Sequence, residues 1–306
     1  MRLCNKAILA VFLAAAALPL PAQPSPAQAA PAQAPPQMVF VPVTVTDHKN
    51  RVLTGLVGED FQIYENNLKQ EVASLAPLDA PASIGILFDL SGSMTSKLTQ
   101  ARESILRFIG VSNSQDEFFV VGFSEHPELL EDFTDSVVDI QARLANVRTS
   151  HRTAMFDAIY YALARMKDAR YERKALLVVS DGGDNASKHS EPEVRTQAQK
   201  SNVEIFAICI FDPYAATPEE RTGPQFLSDL SEATGGRLFR VDDVADMGDI
   251  AEKISTELRN QYVIGYRPKN LTRDGKWRKV KVKVNPPAGL PPLTIHARTG
   301  YYAPLQ

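Results

Sequence analysis

Residues 84–93 read Ile84-Gly-Ile-Leu-Phe-Asp-Leu-Ser-Gly-Ser93, an apolar run that changes abruptly into a polar, glycine-containing turn. A near-continuous apolar run of this length is typical of a strand that is covered on both faces of a parallel sheet. Apolar residues at helical spacing follow the turn. The stretch therefore predicts a buried strand that ends in a polar turn and leads into a helix.

Similar apolar runs recur downstream, and stretches with apolar residues at helical spacing alternate with them. The runs are Phe118–Val121, Ala175–Val179 and Ile205–Ile210, and the helical stretches cover Leu98–Ile109, Met155–Met166, Phe226–Ala233 and Met247–Leu258. Alternating strands and helices predict an α/β fold, in which helices cover both faces of a doubly wound, mostly parallel, Rossmann-like sheet. We also expect Leu129–Thr134 to add an edge strand beside Phe118–Phe123.

The segments on either side of this domain have the alternating pattern of β-strands. Before it, Val41, Val43 and Val45 alternate with proline and threonine, and after it come strand-like runs such as Tyr262–Tyr266 and Lys279–Val284. Each segment alone is too short for a stable core. We therefore predict that flanks 38–80 and 262–306 form one small β domain, into which an α/β domain over 81–261 is inserted.

The N-terminus has the features of a targeting segment. Two basic residues precede an apolar run over 7–18, which predicts a signal peptide over residues 1–22, with cleavage after Ala22 or Ala29. As a helix the run would span about 18 Å, well short of a hydrocarbon core of roughly 30 Å, so a permanent membrane span is disfavoured. Residues 23–37 are nearly all Pro, Ala or Gln and predict a linker. We expect an exported protein that is periplasmic, cell-surface or secreted, with no transmembrane span in the mature chain.

Charge and cysteine content exclude two classes of protein. The 306 residues include 33 Lys+Arg and 36 Asp+Glu, a net charge of −3, which argues against a general nucleic-acid binder. Two cysteines cannot form a disulfide framework. Cys4 belongs to the predicted signal peptide, so Cys209 is expected to be a buried core residue with no internal disulfide.

Oxygen-bearing side chains lie where the predicted strands end. Asp89, Ser91 and Ser93 follow the first buried strand, Thr153 opens a helix, and Asp181 ends another buried strand. The carboxyl ends of parallel strands meet at one edge of a sheet, so these side chains are expected to converge. Their hard oxygen atoms favour Mg²⁺, Mn²⁺ or Ca²⁺ over zinc. Only two of the five side chains carry charge, so a bound divalent ion could accept a further anionic oxygen.

These residues carry a resemblance. Asp89-x-Ser91-x-Ser93, Thr153 in Thr-Ala-Met-Phe-Asp-Ala and Asp181 in Ser-Asp-Gly resemble the metal-ion-dependent adhesion site of von Willebrand factor type A domains. The resemblance implies that Ser91, Ser93 and Thr153 bind the metal directly. It also implies that the two aspartates act through water or as neighbours, and that a carboxylate from a binding partner completes the coordination. Mg²⁺ is the expected ion, with Mn²⁺ or Ca²⁺ as alternatives.

The flanks extend this resemblance over nearly all of the predicted mature chain. Gln261-Tyr-Val-Ile-Gly-Tyr266 and Arg298-Thr-Gly-Tyr-Tyr302 look like segments of exported bacterial proteins related to this family, of the type common in acidobacteria. The likeness indicates an architecture rather than an activity.

Other polar residues near the predicted site have simpler interpretations. Asp184 and Asn185 could orient Asp181 or contact a ligand, but loop turn chemistry accounts for them equally well. His151 and His189 lack the spacing of a zinc site and are expected to be solvated loop histidines. The lysines of 279–283 alternate with valines, which predicts a strand with one wet face.

We therefore expect a non-enzymatic interaction module with no catalytic residues, which binds a divalent cation and captures a carboxylate of a protein or other macromolecule. The sequence contains no phosphate-binding loop, dinucleotide-binding motif or nucleophile elbow. Two alternatives stay open: a metal-independent envelope scaffold that binds through its β flanks, and a metal-dependent phosphoesterase. The loops expected to contact a partner are Ser124–Pro127, Thr149–Thr153, Gly182–Pro192 and Asp212–Gly223, the last as a specificity loop.

Overall fold

The computed structural model describes residues 38–305, apart from 79, 212–217, 287–288 and 290–291, and these residues belong to one compact unit. The predicted signal peptide and linker, and part of the predicted specificity loop, lie outside the described residues. Across the described ranges, no helix is both long and apolar enough to span a membrane.

Strands and helices are numbered here in chain order. The strands are β1 (Val39–Thr46), β2 (Phe61–Glu65), β3 (Leu68–Gln70), β4 (Val72–Pro77), β5 (Ser83–Asp89), β6 (Glu117–Phe123), β7 (Pro127–Thr134), β8 (Lys174–Ser180), β9 (Val203–Ile210), β10 (Leu238–Val241), β11 (Tyr262–Tyr266), β12 (Trp277–Val284), β13 (Thr294–Ala297) and β14 (Gly300–Tyr302). The helices are α1 (Leu98–Val111), α2 (Val137–Ala145), α3 (Met155–Arg165), α4 (Glu191–Lys200), α5 (Pro218–Thr234) and α6 (Met247–Arg259).

The central sheet has the strand order β10-β9-β8-β5-β6-β7. Every neighbouring pair is parallel except β6 and β7, so the predicted doubly wound, mostly parallel sheet is confirmed. β7 is the expected edge strand and runs antiparallel to β6. The loop predicted over Asp212–Gly223 ends earlier than expected, because α5 begins at Pro218.

Helices cover both faces of this sheet because successive residues of a buried strand point to opposite sides. On one face Ile84 and Phe88 pack with α1 and α6, and on the other Leu87 packs with α3 and α5. Cys209 is buried in β9, as predicted, and burial raises the pKa of its thiol to about 12.

The two flanks form one β-sandwich, which confirms that they share a domain. Its sheets have the orders β13-β1-β11-β4 and β14-β12-β2-β3, so each sheet takes strands from both flanks. Val41, Val43 and Ile264 are fully buried between the sheets. Tyr266 and Tyr301 both donate their hydroxyl protons to Glu65, at 2.9 and 2.8 Å, and the bond from Tyr266 connects the two sheets. The lysines of β12 are exposed while Val280 is buried, as the alternation predicted.

A buried carboxylate lies at the seam between the sandwich and the α/β domain. Glu204 in β9 accepts hydrogen bonds from Nε2 of Gln261 at 3.1 and 3.0 Å, and Gln261 immediately precedes β11. The side chain is 7% exposed. Burial raises the pKa of Glu204 to about 7, since the charged form loses its hydration there.

Glu204→Gln is expected to flatten the pH dependence of stability. The folded protein holds the Glu204 proton up to about pH 7 while the unfolded chain releases it near its ordinary pKa of 4.5, so this contribution is lost as pH rises through that window. Thermal melts across the window would show a smaller fall for the variant than for the parent protein. Glu172→Gln, at an exposed position, serves as the control. Parallel pH profiles for parent and Glu204→Gln would contradict the assignment.

Candidate functional site

The predicted site lies at the carboxyl ends of β5 and β8, which are parallel neighbours. Asp89 is the last residue of β5, and Asp181 follows the last residue of β8. Ser91 and Ser93 belong to the turn after β5, which continues as a short 3-10 helix over Gly92–Met94. Adjacent parallel strands thus bring residues that are far apart in sequence to one edge of the sheet.

Asp89 is fully buried and held by hydrogen bonds on both carboxylate oxygens. Oδ1 accepts from the backbone N–H of Ser91 at 2.8 Å, and Oδ2 accepts from Oγ of Ser180 at 2.5 Å. Oγ of Ser180 in turn accepts from the N–H of Gly182 at 2.9 Å. Ser180 was not among the predicted site residues, and its position at a buried strand end beside Asp181 was the available signal.

The hydroxyl groups of Ser91 and Ser93 are 3.1 Å apart. Ser91 is buried and Ser93 is exposed, so the pair leads from the buried carboxylate to the protein surface. Gly92 between them closely approaches the loop that precedes α3. A Cβ at Gly92 would lie 3.1 Å from the carbonyl oxygen of Ser150, whose N–H donates to Leu90 O at 2.7 Å. This contact fixes the loop 149–153 against the Ser91–Ser93 turn.

Thr153 is buried at the end of that loop, just before α3. The N–H of Thr153 donates to Oδ1 of Asn185 at 3.0 Å, and the N–H of Asn185 donates to the carbonyl oxygen of Thr153 at 2.9 Å. Among the described residues its hydroxyl makes no hydrogen bond. Asn185 therefore positions Thr153, a role that differs from the orientation of Asp181 or the ligand contact considered from the sequence.

Asp184 has a structural role instead. Its Oδ2 accepts from the N–H of Phe156 at 2.8 Å, in the first turn of α3, and from the hydroxyl of Ser187 at 2.6 Å. These bonds cap the helix and order the loop, which is the turn chemistry expected of an aspartate there.

The two loop histidines differ from each other. His151 is exposed, as predicted. The prediction of a freely solvated ring is wrong for His189, whose Nδ1 lies 2.7 Å from Oδ1 of Asp157 and whose ring stacks on Tyr160 with centroids 3.9 Å apart. The cause is the close packing of the loop 182–190 on α3.

The site carries excess negative charge inside the protein. Burial, and then the nearby charge of Asp181, raise the pKa of Asp89 to about 7. Oδ1 of Asp181 is buried and has no hydrogen-bond partner among the residues that the structure describes, while Oδ2 lies 3.3 Å from Nζ of Lys97. A buried oxygen without a partner is costly, so a bound cation would stabilise this arrangement.

The donor set fits a divalent cation that prefers oxygen. Ser91, Ser93 and Thr153 supply hydroxyls, and Asp89 and Asp181 supply two carboxylates. Clusters of three or more His, Cys, Asp and Glu able to hold a metal do not occur within the described ranges, so the hydroxyls would be essential ligands here.

Lys97 was not identified from the sequence, and it gives a test of the site. Its ammonium group, at the start of α1, neutralises the carboxylate that a metal would use. We expect Lys97→Met to raise the affinity for Mg²⁺ and Mn²⁺ by about tenfold, since it removes a positive charge that lies 3.3 Å from a carboxylate oxygen of Asp181. Isothermal titration calorimetry would measure this, with Lys200→Met, an exposed residue of α4, as control. An unchanged or weaker affinity would mean that Lys97 only orients Asp181.

Comparisons with known proteins agree with the fold. The family model for the von Willebrand factor type A domain matches residues 83–253, which is more than half of the chain. A von Willebrand factor type A structure from Catenulispora acidiphila superposes with a TM-score of 0.50 at 12% identity, covering 86% of this chain and 74% of its own. The conserved hypothetical protein BatB from Bacteroides thetaiotaomicron gives 0.47 at 17% identity, covering 59% of this chain and 100% of its own.

One curated protein sequence is similar to part of this chain. A protein of Borreliella burgdorferi that is described as uncharacterized is 24% identical over 190 residues, which is 54% of this chain and 55% of the relative. The chain therefore spans about half the length of this curated relative.

Proposed function

Because the chain belongs to the von Willebrand factor type A domain family, we propose that it is an exported, non-enzymatic interaction module with a metal-ion-dependent adhesion site. In this proposal Asp89, Ser91, Ser93, Thr153 and Asp181 hold a divalent cation, with Mg²⁺ as the first candidate. The occupied site captures a carboxylate of a protein or other macromolecular partner.

The observation that carries the proposal is the environment of the Asp181 carboxylate. Within the described part of the chain, one of its carboxylate oxygens is buried without a hydrogen-bond partner, and the other faces the ammonium group of Lys97. Asp89 lies close enough for the charge of Asp181 to raise its pKa. Two carboxylates kept together in a buried position are unfavourable in a purely structural role and favourable in a cation site.

The residues of the chain have distinct roles in this proposal. Asp89 is fixed by Ser91 and Ser180, so it supplies charge without reaching the surface. The exposed hydroxyl of Ser93 marks the side from which a partner can approach. When bound, the cation supplies the positive charge that attracts a partner's carboxylate. Its hydroxyl ligands carry no charge, so they leave the charge of the cation only partly neutralised.

The surroundings suit an acidic partner. Arg152 and Lys188 are exposed on the two loops next to the site, and Nη2 of Arg152 donates to the carbonyl oxygen of Asn185 at 2.7 Å. Such charges mainly increase the association rate and the specificity. A stable complex buries roughly 1,200–2,000 Å², so the loops 124–127, 149–153 and 182–190 must provide most of the contact area.

Calorimetry with Mg²⁺, Mn²⁺ and a chelator tests the cation site directly. Binding of an aspartate-rich peptide would then be compared with binding of the same peptide with Asn for Asp. We expect the acidic peptide to bind only with the cation, and Asp181→Ala to abolish both steps. Asp242→Ala, which changes an exposed aspartate paired with Arg240, is the control.

Other outcomes would overturn the proposal. Peptide capture that is unchanged by chelator and by Asp181→Ala would favour a metal-independent scaffold. Cation-dependent hydrolysis of phosphoesters that disappears in Asp181→Ala would favour a phosphoesterase instead.

A further inference from the structure

A cavity of about 580 Å³ lies at the seam between the α/β domain and the β-sandwich. Lys174, the first residue of β8, lines it, whereas Asp181, which follows the last residue of β8, belongs to the candidate metal site. The cavity is therefore at the opposite edge of the central sheet from that site. Its volume falls within the range of about 300–1,000 Å³ that is typical of small-molecule sites, which often occur where domains meet.

One wall of the cavity is apolar and comes from the outer face of the sandwich. Val41 and Val43 point into the sandwich core, so Phe40 and Pro42 of the same strand point outward. Pro42 pairs with Val263 of β11, and both line the cavity together with Phe40 and Trp277. Phe40 is 55% exposed, so its ring is accessible to a ligand in the cavity.

The polar part of the lining is mainly cationic. Arg173, Lys174 and Arg298 contribute positive charge, against the two carboxylates of Glu172 and Glu204. Glu204 already accepts both of its hydrogen bonds from Gln261. The cavity can therefore accommodate an anion better than a cation.

Arg298 is the group best placed to bind that anion. Its Nε donates to the carbonyl oxygen of Gly300 at 2.8 Å, and its Nη1 donates to Oδ1 of Asn202. These two bonds fix the guanidinium plane, while Nη2 makes no hydrogen bond within the described part of the chain. Arg298 is partly buried, and this burial lowers the pKa of its guanidinium group, although the nearby charge of Glu204 raises it. An anionic oxygen would accept a hydrogen bond from Nη2.

We propose that this cavity binds a small amphipathic carboxylate of the fatty-acid class. The carboxylate lies on Arg298, and the hydrocarbon chain lies against Phe40, Pro42, Val263 and Trp277. This site is separate from the candidate metal site and does not depend on a bound cation.

The chain itself provides the probe, because Trp277 is its only tryptophan. Dodecanoate, kept below its critical micelle concentration, is titrated into the whole protein in the presence of a chelator while tryptophan fluorescence is recorded. We expect a saturable change for dodecanoate, a weaker response to dodecan-1-ol, which lacks the charge, and none to dodecylammonium. The difference between acid and alcohol measures the contribution of the cationic side chains of the cavity, and the Arg298→Gln variant separates the share of Arg298.

Two variants and one control complete the test. Arg298→Gln should weaken dodecanoate binding by about tenfold or more, the amount expected for one charge-assisted hydrogen-bonded pair. Val263→Phe should weaken dodecanoate and dodecan-1-ol alike, because it fills the cavity without changing its charge. Arg148→Gln, at an exposed position in the α/β domain, should have no effect. Thermal melts show which variants are folded. If Arg298→Gln does not fold, Val263→Phe and the comparison of the three ligands still test the proposal.

Several results would overturn the proposal. These are the absence of a saturable fluorescence change, equal affinity of folded Arg298→Gln and the parent protein, or tighter binding of dodecylammonium than of dodecanoate. Tighter binding of a peptide that ends in an aliphatic residue with a free carboxylate would assign the cavity to a macromolecular partner instead.

Discussion

Asp89→Asn is expected to lose most of the divalent-cation affinity of the protein and, in the presence of a chelator, to melt at a higher temperature than the parent protein. The two effects have the same origin. Asp89 is fully buried next to Asp181, and the pKa of its carboxyl group is raised to about 7. The protein therefore keeps a charge that favours a cation at the expense of its own stability.

The sign of the stability effect follows from proton linkage. The folded protein holds the Asp89 proton up to about pH 7, whereas the unfolded chain releases it near its ordinary pKa of 3.8. Stability from this group is thus present at low pH and lost as pH rises through 7. At about pH 8 the amide avoids a penalty on the order of a few kcal/mol, since each pKa unit corresponds to about 1.4 kcal/mol.

The amide keeps part of the local hydrogen bonding. Its carbonyl oxygen can still accept from the N–H of Ser91, as Oδ1 of Asp89 does at 2.8 Å. Its NH₂ group would face the hydroxyl of Ser180, which already accepts from Gly182. The gain in stability will therefore be smaller than the full linkage value, but the direction is set by the buried charge.

Calorimetric titration with Mg²⁺ and Mn²⁺ measures the first effect, and thermal melts with chelator at about pH 5 and pH 8 measure the second. The stabilisation should be present at the higher pH and much smaller at the lower one. Asp116→Asn is the control for cation affinity, because Asp116 is buried at the opposite edge of the same sheet, beside the start of β6. Cation affinity that survives Asp89→Asn, or a lower melting temperature at the higher pH, would contradict the proposed site.

The sequence was sufficient for the parts of the fold that depend on buried strands. The runs at 84–88, 118–121, 175–179 and 205–210 are apolar throughout because both of their faces are covered, and they became β5, β6, β8 and β9. The alternating valines of the flanks predicted the sandwich for the complementary reason, that only one face of each strand is buried.

Weakly apolar elements were missed. α4 is mostly polar and buries only Val194 and Ala198, so its sequence shows little helical periodicity. β10 has four residues, of which only Val241 is buried. Elements of this kind form because the rest of the domain provides a surface for them, and their own sequence carries a weak signal.

The candidate site likewise includes residues that the sequence predicts and residues that it does not. Its five predicted residues could be found because each lies at the end of a recognisable strand or the start of a helix. Lys97 could not, because a lysine near the start of α1 is an ordinary surface residue until the fold brings it to Asp181. The cavity at the seam was also invisible, since Phe40, Trp277 and Arg298 come from different strands and loops.

We expect the start of α5 to control the position of Asp181, which gives the second prediction of a large effect. Gly182 follows Asp181 with a positive φ of 92°, a conformation that favours glycine. Gly223 in α5 packs directly against it, and a Cβ at Gly223 would lie 1.4 Å from the carbonyl oxygen of Gly182. Both atoms at this contact belong to the backbone or are fixed to it, so no side-chain rotation can relieve the overlap.

We expect Gly223→Ala to destabilise the protein by roughly 2–4 kcal/mol, as overpacking of a rigid contact does, and to weaken Mg²⁺ binding by displacing Asp181. Denaturant unfolding with chelator measures the first effect and calorimetry the second. If the variant is too unstable to titrate, Gly182→Ala, which strains the loop through its positive φ, tests the same link to Asp181.

Gly110→Ala is the matched control, because Gly110 is also helical and a Cβ there meets nothing within 4 Å. In α1 this change should be neutral or stabilising by up to about 1 kcal/mol, since alanine is the better helix former. The contrast separates the loss of the close contact from the general effect of replacing a helical glycine. If Gly223→Ala matched Gly110→Ala in stability and in Mg²⁺ affinity, α5 would not hold Asp181 in place, and the position of that carboxylate would depend on β8 alone.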